Sequence, residues 1–134
     1  HVAGMMALAA NPAERPNFAG LIYGMPFLTP PPPLPPANLP FPPGTPSEPW
    51  LQPKPTPAPG ALPPMFTALA QDDLVAGSGF RTYYDALYAA GYRPELHLYH
   101  RGGHGFGMKP QGATSDRWIE EFHWWLEAEG LTKR

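Results

Sequence analysis

Cysteine is missing from the 134-residue sequence. Its absence excludes a disulfide framework and any thiolate metal site, and leaves the redox compartment open. Charge of either sign is sparse: 15% of residues are charged and the formal net charge is -2. With no basic field to collect phosphates, the composition argues against a nucleic-acid partner. No apolar run reaches the length of about 18 residues that a membrane helix needs. The opening stretch, HVAGMMALAA, has neither an initiator Met nor a basic leader and reads as the interior of a longer chain.

Proline is abundant but unevenly placed, with 18 of the 22 in residues 26–64. A residue with fixed φ and no amide donor builds neither helix nor central strand, so this segment is expected to be extended, polyproline-like or irregular. It divides the chain into 1–25, the Pro-rich insert 26–64, and 65–134. About 95 residues remain to bury a core, enough for a small α/β unit.

Around the insert the pattern is legible. Small and apolar residues on all sides of HVAGMMALAANP suit the last turns of a buried helix, ended by Asn11-Pro12. Phe18–Tyr23 and Met65–Ala70 are short apolar runs of the kind found in buried parallel strands. Phe80, Tyr83, Tyr84, Leu87 and Tyr88 recur at helical spacing, with Ser78 as N-cap and Gly91 as the stop. Glu95–His100 reads as a strand with Leu96, Leu98 and His100 on one side and His97 and Tyr99 on the other. A last helix opens near Thr114, Ser115 and Asp116 and lays Trp118, Phe122, Trp125 and Leu126 along one face. Strands alternating with helices imply parallel strands joined by crossovers, hence an α/β layer.

In such a layer reactive groups gather beyond the carboxyl ends of the strands. Asp72 and Asp73 follow one strand, and His104, set among Gly102, Gly103, Gly105 and Gly107, follows the next. If the two strands are neighbours their ends lie about 5 Å apart. A carboxylate beside an imidazole selects one tautomer and stabilises the imidazolium, leaving the other ring nitrogen to take a proton from a nucleophile. The plainer reading of the aspartates, a solvated turn or the cap of the next helix, stands beside this one. His97 is read as a packed or hydrogen-bonded strand residue and His100 as a polar strand end. A metal site from His97, His100 and His104 is disfavoured because the first two point to opposite faces of a strand, and nothing in the sequence calls for a cofactor.

The stretches AQDDLV and YYDALYAAGYRPELHLYHRGGHGFGM, followed by a Trp-rich terminal helix, resemble the C-terminal part of α/β-hydrolase-fold serine esterases and lipases of the acetyl-xylan and feruloyl-esterase-like group. The likeness covers residues 1–25 and 61–129 and is most specific around ELHLYHRGGHGFG. It implies a layer of parallel strands with flanking helices, interrupted here by the proline insert. It also implies a Ser-His-Asp triad acting on a small-molecule or carbohydrate-linked ester, with His104 as general base and Asp73 as its orienter. Asp72 stays the alternative acid, because the sequence is one residue shorter than the family pattern there. The family's nucleophile elbow, Gly-x-Ser-x-Gly, would end just before His1, with the serine about four residues upstream and the oxyanion loop further still. Ser78 lacks the first glycine of that elbow and suits a helix cap; Ser47 lies in the proline segment and Ser115 at a helix start. Phe106 and Met108 are expected either to line a pocket or to pack on the last helix, and Trp50 to form a substrate wall or to lie exposed in the linker. A different function remains open: TPPPPLPP and KPTPAP are polyproline II candidates for SH3-, WW- or EVH1-like partners.

Overall fold

The structure, a computed structural model, describes residues 2–24, 62–76 and 80–132. The expectations for Ser47, Trp50, Ser78 and nearly all of the proline segment fall outside these residues. Within them the element order is α1 (Val2–Ala7), β1 (Ala19–Ile22), β2 (Met65–Ala70), α2 (Phe80–Ala89), β3 (Glu95–Tyr99) and α3 (Trp118–Ala128), with 3-10 turns at Pro12–Glu14 and Thr114–Arg117. The strands form one sheet in the order β1-β2-β3. Both pairings are parallel: Ala19 stands opposite Met65, and Ala70 opposite Tyr99.

All six residues of the central strand, MFTALA, are buried. Its apolar run does not alternate because a parallel strand covered on both faces has no solvent side. Met65 and Leu69 join Ala7, Ala19, Leu21, Ala76, Tyr83 and Leu87 on the face covered by α1 and α2. Phe66, Ala68 and Ala70 join Tyr99, Phe106 and Trp125 on the face covered by α3. Helix α3 approaches β1 closely enough that a Cβ at Gly20 would stand 3.2 Å from Phe122 Cζ.

Both long helices stop as glycine directs. At α2, Gly91 takes φ 90°, its N–H donates to Tyr88 O at 3.0 Å and that of Tyr92 to Leu87 O at 2.9 Å. At α3, Gly130, Glu127, Leu131 and Leu126 repeat the arrangement. This double closure satisfies the last carbonyls and needs a left-handed residue, which glycine adopts without a Cβ clash.

Three expectations need correction. Helix α1 is not buried all round: Gly4 and Ala7 face the core, whereas Val2, Met5 and Met6 are exposed. Only its small-residue side meets β1, and nothing among the described residues covers the other. Tyr88, placed on the apolar stripe of α2, is exposed and carries the Arg93 guanidinium 3.6 Å above its ring. Of the three residues expected to cap the last helix, only Asp116 accepts loop amides, and it lies inside the 3-10 turn.

Candidate functional site

The Ala70–Tyr99 pairing brings two loops out of the same edge of the sheet. The ladder runs one step further, with Gln71 N–H donating to Tyr99 O at 2.9 Å, so the aspartates leave β2 directly beside the loop that follows β3. Asp73 is buried, at 3% exposure, and splits its carboxylate between two tasks. Oδ1 accepts the N–H groups of Val75 and Ala76 at 2.7 and 2.8 Å, an Asx turn that fixes the side chain. Oδ2 lies 2.9 Å from His104 Nδ1. Both readings of this aspartate, turn former and histidine partner, are therefore realised at once, one on each oxygen.

With Nδ1 directed at a carboxylate, the neutral ring carries its proton there and presents Nε2 unprotonated. His104 is 38% exposed in its side chain, while that of Asp73 is fully buried. The pair thus has a dry end and a wet end. Such an imidazole can accept a proton at Nε2 while the buried carboxylate balances the charge that results.

The loop carrying His104 has little conformational preference of its own. Gly103, Gly105 and Gly107 all have positive φ, at 65°, 74° and 59°, a conformation that side-chain-bearing residues adopt at a cost. Its position comes from anchors. Phe106 is buried and meets the rings of Tyr23 at 5.0 Å and Tyr99 at 5.9 Å, both edge-on. Trp118 Nε1 donates to Gly107 O at 2.7 Å, and the Gln111 side-chain amide donates to Phe106 O at 3.0 Å. Gly102 sits so close to the start of the last helix that a Cβ would fall 2.8 Å from Ser115 Oγ. Further along, the Asp116 carboxylate gathers the N–H groups of Gln111, Gly112 and Ala113, and these bonds, Gln111 foremost, hold it below the usual carboxylate range.

Asp72 differs from expectation. It is exposed, but it does not face solvent unengaged: Oδ1 accepts the N–H groups of Gly102 at 2.9 Å and Gly103 at 2.8 Å. These two bonds, Gly103 first, lower its pKa. The sequence reading also gave no role to Tyr23. This residue has φ 44°, alone among the described non-glycine residues in being positive, and its ring meets that of His104 edge-on at 6.0 Å. A bulky residue held there costs about 1–3 kcal/mol. The Tyr23-Gly24 pair marks a turn in sequence, but glycine was the natural occupant of the left-handed position.

The other sequence candidates lie elsewhere. His97 stacks on Phe66 at 4.9 Å and places its nitrogens 2.8 Å from Glu95 Oε1 and 3.0 Å from Glu121 Oε2. Tyr99 donates its hydroxyl to the same Glu121 carboxylate; burial, then that bond, drives the phenol pKa upward. This cluster fastens α3 to β3. Among the described residues no group of three or more His, Cys, Asp or Glu side chains is placed to hold a metal ion. Phe106 takes the packing role of its two expected ones, whereas Met108 is exposed. Ser115 is fully buried, with a hydroxyl that has no partner among the described residues.

No protein-family model matches the sequence, and no curated protein matches it. Among solved structures, the chain is similar to MGS-M1, an α/β hydrolase enzyme from a Medee basin deep-sea metagenome library, with a TM-score of 0.60 and 21% identity. The match covers 96% of this chain and 49% of that one, so the chain spans about half the length of its structural neighbour. Parallel strands ordered β1-β2-β3, with helices on both faces, give the chain the fold of part of an α/β hydrolase.

Proposed function

We propose that the chain is the acid- and histidine-bearing part of a serine hydrolase that cleaves carboxylic esters, its nucleophilic serine supplied from outside residues 1–134. The observation that carries this reading is the buried Asp73 carboxylate 2.9 Å from Nδ1 of a half-exposed His104. The esterase-like stretch around ELHLYHRGGHGFG and the likeness to an α/β hydrolase enzyme support it.

In this reading the serine hydroxyl attacks the ester carbonyl while His104 Nε2 takes its proton. The imidazolium, balanced by Asp73, hands that proton to the departing alcohol, leaving an acyl-serine. Water then repeats the sequence: His104 removes its proton, the acyl carbon–serine bond breaks, and the serine recovers a proton from the ring. The oxyanion donors that stabilise each tetrahedral intermediate belong with the serine.

The test is hydrolysis of p-nitrophenyl acetate, by residues 1–134 alone and by the chain joined to the residues that precede it in its gene. No turnover is expected from the first and turnover from the second. His104→Ala should remove activity from the longer protein, and Asp73→Asn should lower it by about 10³–10⁴-fold with the fold retained. Turnover by residues 1–134 that Ser78→Ala abolishes, or an upstream sequence without a Gly-x-Ser-x-Gly elbow, would reject the assignment.

A further inference from the structure

Asp72 and Asp73 are adjacent, yet both hold one loop some thirty residues away, Asp73 through a side chain and Asp72 through the backbone. We propose that Asp72 is a positioning residue for His104, its carboxylate filling a nest of amides at Gly102 and Gly103 and so setting where the imidazole stands relative to Asp73. This inference rests on the functional reading only in taking the position of His104 to matter.

Two successive backbone N–H groups converge on one oxygen, at 2.9 and 2.8 Å. The second of the two residues, Gly103, then turns through the left-handed region with φ 65°. That is the geometry of an anion-binding nest, here occupied by the protein's own carboxylate. Hydrogen bonds to an ionised acceptor are stronger than neutral ones. The peptide they hold directly precedes His104, in a loop where glycines at 102, 103, 105 and 107 leave the backbone free to turn. The Phe106 ring and carbonyl and the Gly107 carbonyl anchor the loop on the far side of the histidine. Without Asp72 the near side keeps the strand end, the Arg101 side chain on Gly112 O and the packing of Gly102 against Ser115, none of which bonds the Gly103 amide, and a swing of the Gly103–His104 peptide carries Nδ1 away from Asp73 Oδ2. A displacement of about 1 Å is enough to matter, since misplacement of that size costs on the order of 10²-fold in a reacting geometry. Asp72 is exposed, so its removal opens no core.

The full chain, labelled with ¹⁵N, tests this by NMR through the Nδ1–H proton of His104 and the exchange rates of the Gly102 and Gly103 amides. Asp72→Ala should speed amide exchange at both glycines by about tenfold to hundredfold. It should also erase the His104 Nδ1–H signal, while the indole N–H of Trp118 and the α3 amides keep their shifts. Asp72→Asn, which retains an oxygen acceptor, should keep the Nδ1–H signal with exchange only a few-fold faster. Formate added to Asp72→Ala should refill the nest and restore the signal. The proposal is overturned if the Nδ1–H proton is unchanged in Asp72→Ala while the glycine amides exchange faster, because the carboxylate would then be a latch with no hold on the ring. Loss of the signal that formate cannot restore counts against it equally. If Asp72→Ala does not fold, the Asn variant decides: an Nδ1–H signal lost there in a folded chain contradicts the acceptor role, and one retained with faster glycine exchange supports it. None of these readouts uses ester turnover, so a failure of the hydrolase reading would leave the result for Asp72 standing.

Discussion

The two faces of the sheet are built from different materials. Under α1 and α2 the buried residues are mostly small or aliphatic, Ala7, Ala19, Leu21, Met65, Leu69, Ala76 and Leu87, with one buried ring, Tyr83, and with Phe80 and Tyr92 packed against them. Under α3 they are mostly rings: Phe66, Tyr99, Phe106 and Trp125, with Ala68 and Ala70 between them, joined by Tyr23, Trp118 and Phe122. Aliphatic packing asks mainly for volume, and many arrangements supply it. Rings pack with preferred orientations, edge to face or offset, so an aromatic face fixes directions as well as distances. The histidine loop rests on the second face, through Phe106 and the Trp118 indole. The face that covers and the face that positions are thus distinct, and the positioning one is the more aromatic.

The largest blow to this contrast should come from Phe66→Ala. Phe66 is fully buried and touches the rings of His97, Phe122 and Trp125 at centroid distances of 4.9, 5.1 and 5.6 Å. Urea unfolding should show a loss of about 3–5 kcal/mol, with the near-ultraviolet dichroism of the tryptophans reduced. On the other face Leu69→Ala should also destabilise but leave that spectrum in place.

Gly102→Ala comes next. Its Cβ would meet Ser115 Oγ at 2.8 Å and Phe106 Cδ1 at 3.2 Å, an overpacking worth about 1–3 kcal/mol. Ser115→Gly in the same chain should recover most of it, and a double-mutant cycle in thermal unfolding would show the coupling.

Each face also carries one buried hydroxyl with no partner among the described residues, Thr67 on the aliphatic side and Ser115 beside the loop. Removing a buried unsatisfied polar group relieves its desolvation cost, so Thr67→Val and Ser115→Ala should each raise stability by up to about 1 kcal/mol.

The smallest effect is an acid sensitivity confined to the aromatic side. Asp72 and Asp116 are both held below the usual carboxylate range by backbone N–H groups. A carboxylate with a depressed folded pKa adds stability above its unfolded value of about 3.9, and that stability is lost as pH falls through the folded value. Amide exchange at Gly102, Gly103 and residues 111–113 should therefore accelerate below about pH 4, before the α2 amides respond.

Much of the scaffold was legible before any coordinates. The strand at Met65–Ala70, the helix stop at Gly91 and the aromatic stripe of α3 all follow from local rules: an unbroken apolar run, a glycine after a periodic segment, a 3.6-residue repeat. The same rules placed an Asp pair and a glycine-flanked histidine at strand ends, because strand ends are set by where the apolar runs stop. Only the tertiary structure decided which partners these groups take. Asp73 turns inward to His104 and Asp72 outward to the glycine amides because Ala70 pairs with Tyr99, a register that involves residues some thirty positions apart. It also decided that α1 shows only Gly4 and Ala7 to the core, that His97 stands between Glu95 and Glu121, and that Tyr23 carries a positive φ beside the imidazole. Periodicity records which side of an element is apolar, whereas hydrogen bonds and ring contacts between distant segments exist only once the sheet has set them side by side.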